Sequence, residues 1–442
     1  MITLGTVALG LVLQSSVRSE GFSPFGFPGD SASSINSQNV HDPTVIQFRG
    51  RYFCFSTSGA GFAIVRSSDD LKSWKTLGPV LPDTPEWLQK RYQHRALWAP
   101  DVFVQGDRLR MYYCTSNFGT NESVIGMAEC ANFDPDRPLE GWKDTGLVIE
   151  SVKGRDFYNA IDPKVIADGD RQWMFFGSYF AGIHLVELDP RSGKLKNPSD
   201  PKPQCVARNT DERGNPLEGA SVCKRGSHFY LFVSYGLAAQ GIRSTYRIMV
   251  GRAESVVGPY VDREGRSMVE GGHENVLKSS FPMIGPGGSD VFLDSSGRWL
   301  MPYHFYDARH YWQGGLWGMP TLQIRELLWS EDGWPLPGMP IEALTQPQHS
   351  APKGIAGVWV HQADFAEPKR IELHADGTLT DGQVTGKWEK SGQRLTLRWP
   401  RTDAPGQYWV DELLLSYADG YYVGRNQQGM VIRGLRIEGD SK

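Results

Sequence analysis

Cysteine is scarce and badly placed for either of its usual structural jobs. The 442-residue chain has five, Cys54, Cys114, Cys130, Cys205 and Cys223, an odd number with no C-x-x-C spacing. That pattern argues against a metal cluster and a disulfide-stapled framework, with one disulfide left open for an exported chain. Cys54 and Cys114 lie in apolar runs and read as small buried hydrophobes. Charge of one sign is lacking too. A net charge of −4, with 22% charged residues, gives no basic patch for nucleic acid or an anionic membrane, and a neutral polymer is an ordinary partner for such a surface. No segment is long and apolar enough to span a bilayer. The stretch Val7 to Leu13, followed by Ser15 and Ser16, reads as the apolar region of a secretory signal within residues 1–20, although no Lys or Arg precedes it. A disordered tail is the alternative.

Aromatic residues, by contrast, are plentiful: 12% of the chain, including fourteen Trp. Most must be core, but exposed aromatic faces are a common way to hold sugar rings. They also recur to a plan. His41-Asp42-Pro43-Thr44-Val45-Ile46-Gln47-Phe48, the step Arg49-Gly50 and the run Arg51 to Thr57 read as an acid, an apolar strand, a hairpin turn and an aromatic strand. The same order begins again at Asp101, Asp162, Glu218 and Asp290, with turn glycines at 106, 169, 226 and 297. A period of about 55 to 70 residues signals a propeller or an array.

Each repeat carries a later strand and turn, such as Ala63 to Arg66 before Asp69-Asp70, or Leu322 to Arg325 before Asp332-Gly333-Trp334. Three or four strands in each of five units predict an all-β, five-bladed β-propeller over residues 35–345. The first strand of each blade lies nearest the axis, so Asp42, Asp101, Asp162, Glu218 and Asp290 are expected to point at or near one shared pocket. For any one of them, ordinary turn chemistry is the competing reading; five in one repeat phase favour a site. A chain of this length also suggests a second domain. After a linker-like stretch, Gln346 to Gly354, about eight short strands with tight turns at Ala375-Asp376-Gly377 and Ala418-Asp419-Gly420 predict a small antiparallel barrel over 354–438, with no acid constellation of its own.

His41-Asp42-Pro43, Trp98-Ala99-Pro100-Asp101, Asn159-Ala160-Ile161-Asp162-Pro163, Glu218-Gly219-Ala220 and Tyr303-His304-Phe305-Tyr306-Asp307, in that order, resemble the signature set of glycoside hydrolase family 43, and within it the endo-α-1,5-L-arabinanases. The last eighty or so residues resemble the lipocalin-like barrel appended to some extracellular arabinanases. The resemblance implies an inverting hydrolase on a five-bladed propeller, acting on arabinan or arabino-oligosaccharides as a secreted monomer. It implies Asp42 as general base, Glu218 as general acid and Asp162 as a third carboxylate that orients the acid and raises its pKa by repulsion. Inversion needs one protonated and one ionised carboxyl about 6.5 to 9.5 Å apart, so that a water fits between.

The resemblance also implies that His304 faces the axis and helps hold an ion, often calcium, largely through water. One imidazole is thin support, because calcium prefers oxygen, and a hydrogen-bonded core histidine is the rival reading. Phe118 and Phe180 match sugar-stacking positions, the second often Trp in the family. Asn159 and Trp98 are further substrate-contact candidates, with packing or turn-making as their alternatives. Asp101 and Asp290 receive no catalytic role. One departure stands out: the family's Gly-Pro-Gly-His turn is Gly285-Pro286-Gly287-Gly288 here, so a cleft histidine is missing and the cleavage mode with it is open. An exo-acting arabinofuranosidase or β-xylosidase of the same family is the nearest rival; a non-catalytic carbohydrate-binding propeller is the rival of another class, which three carboxylates with distinct roles disfavour. Gly333-Trp334-Pro335 and the C-terminal barrel favour endo attack.

Overall fold

The turn glycines do what their spacing predicts. The Arg49-Gly50 step has positive φ at both residues (48° and 84°), which suits the twist of a two-residue hairpin, and it joins β1 (His41–Phe48) to β2 (Arg51–Thr57). With β3 (Ala63–Ser68) and β4 (Lys75–Pro79) these make the first four-stranded blade. The computed structural model describes residues 26–30, 36–58, 62–92, 96–309, 319–345 and 354–437; the expected signal segment and the linker up to residue 353 lie outside them.

The same meander recurs. Blade 2 holds β5 (Trp98–Gln105), β6 (Arg108–Ser116), β7 (Ser123–Cys130) and β8 (Trp142–Ser151). Blade 3 holds β9 (Lys164–Asp168), β10 (Arg171–Phe176), β11 (Ile183–Leu188) and β12 (Gln204–Ala207). Blade 4 holds β13 (Leu217–Arg225), β14 (His228–Tyr235), β15 (Arg247–Ala253) and β16 (Glu274–Leu277). In blade 5 the inner strand is split into β17 (Met283–Gly287) and β18 (Phe292–Leu293), both paired with β19 (Trp299–Asp307), beyond which lie β20 (Pro320–Trp329) and β21 (Pro335–Pro340). The single α-helix among the described residues is the one-turn Glu86–Gln89.

Apolar side chains fill the gaps between neighbouring blades. Phe53, Phe55, Met111 and Tyr113 pack blade 1 on blade 2, for example, and Val45, Cys54, Leu300 and Leu322 close blade 5 onto blade 1. The second strand of each blade is therefore buried along nearly its whole length, as β14 is from Phe229 to Tyr235, which is why these strands read as aromatic runs rather than as alternating ones. All five cysteines are unpaired thiols.

Eight strands, β22 (Gly357–Ala363), β23 (Lys369–Leu373), β24 (Thr378–Thr380), β25 (Thr385–Ser391), β26 (Arg394–Pro400), β27 (Tyr408–Ser416), β28 (Tyr421–Asn426) and β29 (Val431–Arg436), close into an antiparallel barrel. Its centre is packed with Trp359, Leu379, Leu395, Leu397 and Tyr422. The barrel rests against blades 4 and 5: Val360, Tyr421, Val423 and Val431 share one apolar cluster with Val276, Leu277, Leu336 and Met339.

Candidate active site

Each inner strand enters the axis through one residue in the left-handed backbone region: Asp42 (φ 48°), Ala99 (38°), Asp162 (55°), Gly219 (62°) and Gly288 (54°). Three residues later comes a buried valine, Val45, Val102, Val165, Val222 or Val291. The strand pairing slips by one residue at this point in blades 1, 2 and 4, and just before it, between Ile284 and Gly287, in blade 5. Such bulges re-aim side chains and cluster next to active sites. Here they turn the entry residues toward a cavity on the axis, lined by Asp42, Ala99, Asp162, Gly219 and Gly288.

This phasing corrects the expectation that the five acids share one repeat phase. Asp42 and Asp162 are entry residues, Glu218 stands one position before its entry glycine, and Asp101 and Asp290 stand two positions beyond theirs. Asp101 and Asp290 belong to a deeper layer, where Lys164 Nζ donates to Asp101 Oδ1 (2.9 Å) and Asp290 Oδ1 (2.5 Å). Their other oxygens accept backbone N–H bonds from the neighbouring blade, Asp101 Oδ2 from Val165 (2.8 Å) and Asp290 Oδ2 from Val45 (3.2 Å). This buried layer floors the cavity and stitches blades together.

A second ring holds the entry residues. The N–H of each is bonded by the preceding blade: Ala99 to Thr57 Oγ1 (2.7 Å), Asp162 to Cys114 Sγ (3.4 Å), Gly288 to Ser234 Oγ (2.8 Å) and Asp42 to His304 Nδ1 (3.2 Å). Thr57, Cys114, Ser234 and His304 occupy one equivalent place, opposite the residue before the entry residue. In blade 3 that place falls to Gly177, whose own N–H bonds Ile161 O. Lacking a side chain there, the blade uses Asp162 itself, whose Oδ2 accepts the Gly219 N–H at 3.1 Å. Asp162 thus holds the backbone beside Glu218.

The three carboxyls differ in charge. Burial pushes Asp42 upward, but the His41 imidazole, bonded through Nδ1 to Oδ2 at 2.7 Å, outweighs it, and His304 and the Thr57 hydroxyl add to the effect; Asp42 ends below the usual carboxylate range. Glu218 is raised, first by burial and then by Asp42, against the opposing bonds from Ser178 Oγ to Oε2 (2.5 Å) and from the Tyr246 phenol to Oε1. Asp162 is raised well above the usual range by burial, Glu218 and Asp42. The expected lift of Glu218 by repulsion from Asp162 is not the first cause of its rise; burial is. An ionised Asp42 facing a protonated Glu218 is the charge pattern of an acid–base pair.

Phe118 is 88% exposed and Phe180 46% exposed, on the loops that follow β6 and β10, as stacking surfaces must be. Trp98 is half-buried against the cluster between blades 2 and 3. Asn159 is only 4% exposed; its Oδ1 accepts from Ser123 Oγ (2.6 Å) and its Nδ2 donates to Ser178 O (3.3 Å). Through that bond it is linked to Ser178, a partner of Glu218. Ser178, Tyr246, Thr57 and His41 were not picked out as partners of the carboxyls. For Thr57 the signal was available, since the β1–β2 hairpin register sets it opposite His41; for Tyr246 there was none within its own blade's repeat.

For a cation, His41, Asp42 and His304 bring their ligand atoms within 4.8 Å of one another. Two imidazoles and one carboxylate are a poor match for calcium, which takes six to eight oxygens. His304 Nδ1 is already the cap on Asp42 and the ring stacks on His41 at 3.7 Å; only its buried Nε2 lacks a partner. These residues do not form a calcium cage, and no step below passes through an ion.

An extracellular exo-α-(1→5)-L-arabinofuranosidase from Cellvibrio japonicus is 33% identical over 69% of this chain and 88% of its own length, and an extracellular endo-α-(1→5)-L-arabinanase from Bacillus subtilis is 32% identical over 74% and 94%. An endo-1,5-α-L-arabinanase structure from Thermotoga petrophila, 24% identical, matches the fold over 92% of this chain and all of its own, with a TM-score of 0.74. The family model for glycosyl hydrolases family 43 matches residues 32–335, a span that carries the three carboxyls and both rings beneath them, and the chain belongs to that family.

Proposed function

We propose that this protein is a secreted endo-acting arabinanase, hydrolysing α-1,5-L-arabinofuranosidic bonds with inversion. The observation that carries the reading is the unequal charge of two carboxyls on non-adjacent blades, Asp42 held ionised by His41 and Glu218 pushed toward protonation by burial. Asp42 takes a proton from a water as the water oxygen attacks the anomeric carbon; Glu218 gives its proton to the departing glycosidic oxygen. Attack from the face opposite the leaving group inverts the carbon. Asp162 keeps Glu218 in place through the Gly219 N–H. The names of the two extracellular relatives support arabinan as substrate and export as destination.

Exo action is the second reading, favoured by the Cellvibrio japonicus relative. The deciding experiment is a size-resolved time course of products from debranched linear arabinan. A spread of short oligosaccharides appearing early is expected; arabinose alone would move the reading to exo. Asp42→Ala and Glu218→Ala should each lower kcat by at least the ~10² to 10⁴ that a general acid or base contributes, with the fold intact by circular dichroism. Near-normal turnover in either would sink the assignment.

A further inference from the structure

Glu218 is gripped at both oxygens. Ser178 Oγ donates to Oε2 at 2.5 Å and the Tyr246 phenol donates to Oε1. Tyr246 lies just before β15, on the loop that follows β14, and only 3% of it is exposed. Its place is reserved by the next blade: a Cβ at Gly287 would come within 2.1 Å of its ring. That is a local reason for glycine in the Gly285-Pro286-Gly287 turn. Ser178 is fixed in turn by Asn159, whose amide bonds its carbonyl.

The geometry points to Tyr246 as a positioning residue for Glu218: with Ser178 it aims the carboxyl and takes up the negative charge left when Glu218 releases its proton to the leaving sugar oxygen. This rests on Glu218 being the general acid. The O–H bond of Glu218 breaks, its proton goes to the glycosidic oxygen, and the electron pair stays on the carboxylate; the phenol keeps its own proton. Burial, together with Glu218 and Asp42, pushes the phenol's acidity well away from any working pH, so it acts as a donor and never as the acid. A donor aimed at charge that appears during reaction is stronger in the transition state than before it, and so lowers the barrier rather than merely tightening binding.

The groups facing Glu218 are His41 and Asp42 from blade 1, Cys114 from blade 2, Asp162 and Tyr179 from blade 3, and Tyr246 itself. Of the hydrogen bonds that favour ionised Glu218, only those from Ser178 and Tyr246 oppose its upward shift. Removing one donor must therefore raise the pKa of Glu218 further.

The test is Tyr246→Phe, with kcat and KM on linear arabinan measured across pH. The expected result is a fall in kcat of about 10- to 100-fold, the loss of one hydrogen bond to a charged group, with KM within about twofold and the alkaline limb moved to higher pH. Ser178→Ala should move the same limb in the same direction. In a Glu218→Ala background, Tyr246→Phe should cost nothing more. An alkaline limb that stays put, or losses that multiply in the double variant, would show a packing role and overturn the proposal. Full turnover by Glu218→Ala alone would instead overturn the acid assignment beneath it.

Discussion

Asp42 and Glu218 are both part-buried carboxylic acids close enough for the charge of one to act on the other, and what separates their behaviour is which neighbour each touches. Asp42 has an imidazole bonded to it, so its proton leaves early; Glu218 is raised by burial and has no cation in contact among the described residues, so its proton stays late. Activity should therefore rise with pH through a limb lying below the ordinary carboxylate value of about 4, as the base ionises, and fall through a limb lying above it, as the acid is lost. A kcat/KM profile between pH 3 and 9 checks this, and His41→Ala should shift the lower limb upward by removing the main counter-charge. Gly288 sets a second constraint at the same scale. Its φ of 54° disfavours any side chain, and a Cβ there would stand 2.6 Å from Asp42 Oδ1 and 2.8 Å from His304 Nδ1. Gly288→Ala should displace the base and lower kcat by about 10- to 100-fold, since a displacement near 1 Å can cost that much; unchanged kinetics would show that the base tolerates crowding.

At the level of the inner strands, the site is a stack of two rings, entry residues above and the Lys164 layer below. Lys164 lies between Asp101 and Asp290, all three nearly buried. Burial alone would lower the lysine's pKa, but its two partners raise it, so it stays charged. Lys164→Met leaves two buried carboxylates without their cation and should destabilise the fold by about 3 to 5 kcal/mol, read as a shift of the urea midpoint. How much of this was legible in the chain follows from what each feature depends on. The hairpins were, because Gly at positions such as 50, 106 and 226 states the turn locally, and so was the blade count; Asp42, Asp162 and Glu218 were singled out by their motifs, and the fold brings the three within electrostatic reach of one another. The phase was not, because aspartates were matched to aspartates; the true phase is marked by Pro43, Pro100, Pro163, Ala220 and Ser289, each two residues before a buried valine. Tyr246 and Lys164 were invisible for a different reason, since each takes its meaning from residues on other strands or blades.

Across the whole molecule, propeller and barrel are joined by more than an apolar seam. Asp30, fully buried on the segment 26–30, receives Arg325 of blade 5 (2.6 Å) and both terminal nitrogens of Arg433 from the barrel (2.8 and 2.5 Å). Arg433 also lies over the Phe27 ring at 4.0 Å and bonds Gln362. One carboxylate thus neutralises charge from two domains, and it does so with its pKa held low: burial raises it, but the two guanidiniums outweigh that. Arg325 also donates to the Tyr303 hydroxyl at 2.7 Å, one residue from the His304 that caps Asp42, so the seam reaches the second strand of blade 5. The two domains should therefore unfold in a single transition. Asp30→Ala would strand two buried guanidiniums, and a loss of about 3 to 5 kcal/mol is expected, with the barrel melting ahead of the propeller. The sign with pH follows from the low pKa. The wild-type advantage is present above the unfolded-state value near 4 and shrinks as pH falls through the lower folded-state value, where wild-type Asp30 takes up its proton. Urea midpoints of wild type and Asp30→Ala should keep a constant gap from pH 7 to about 4.5 and converge below it. A gap that is already absent at pH 7 would mean that the apolar seam alone holds the domains together.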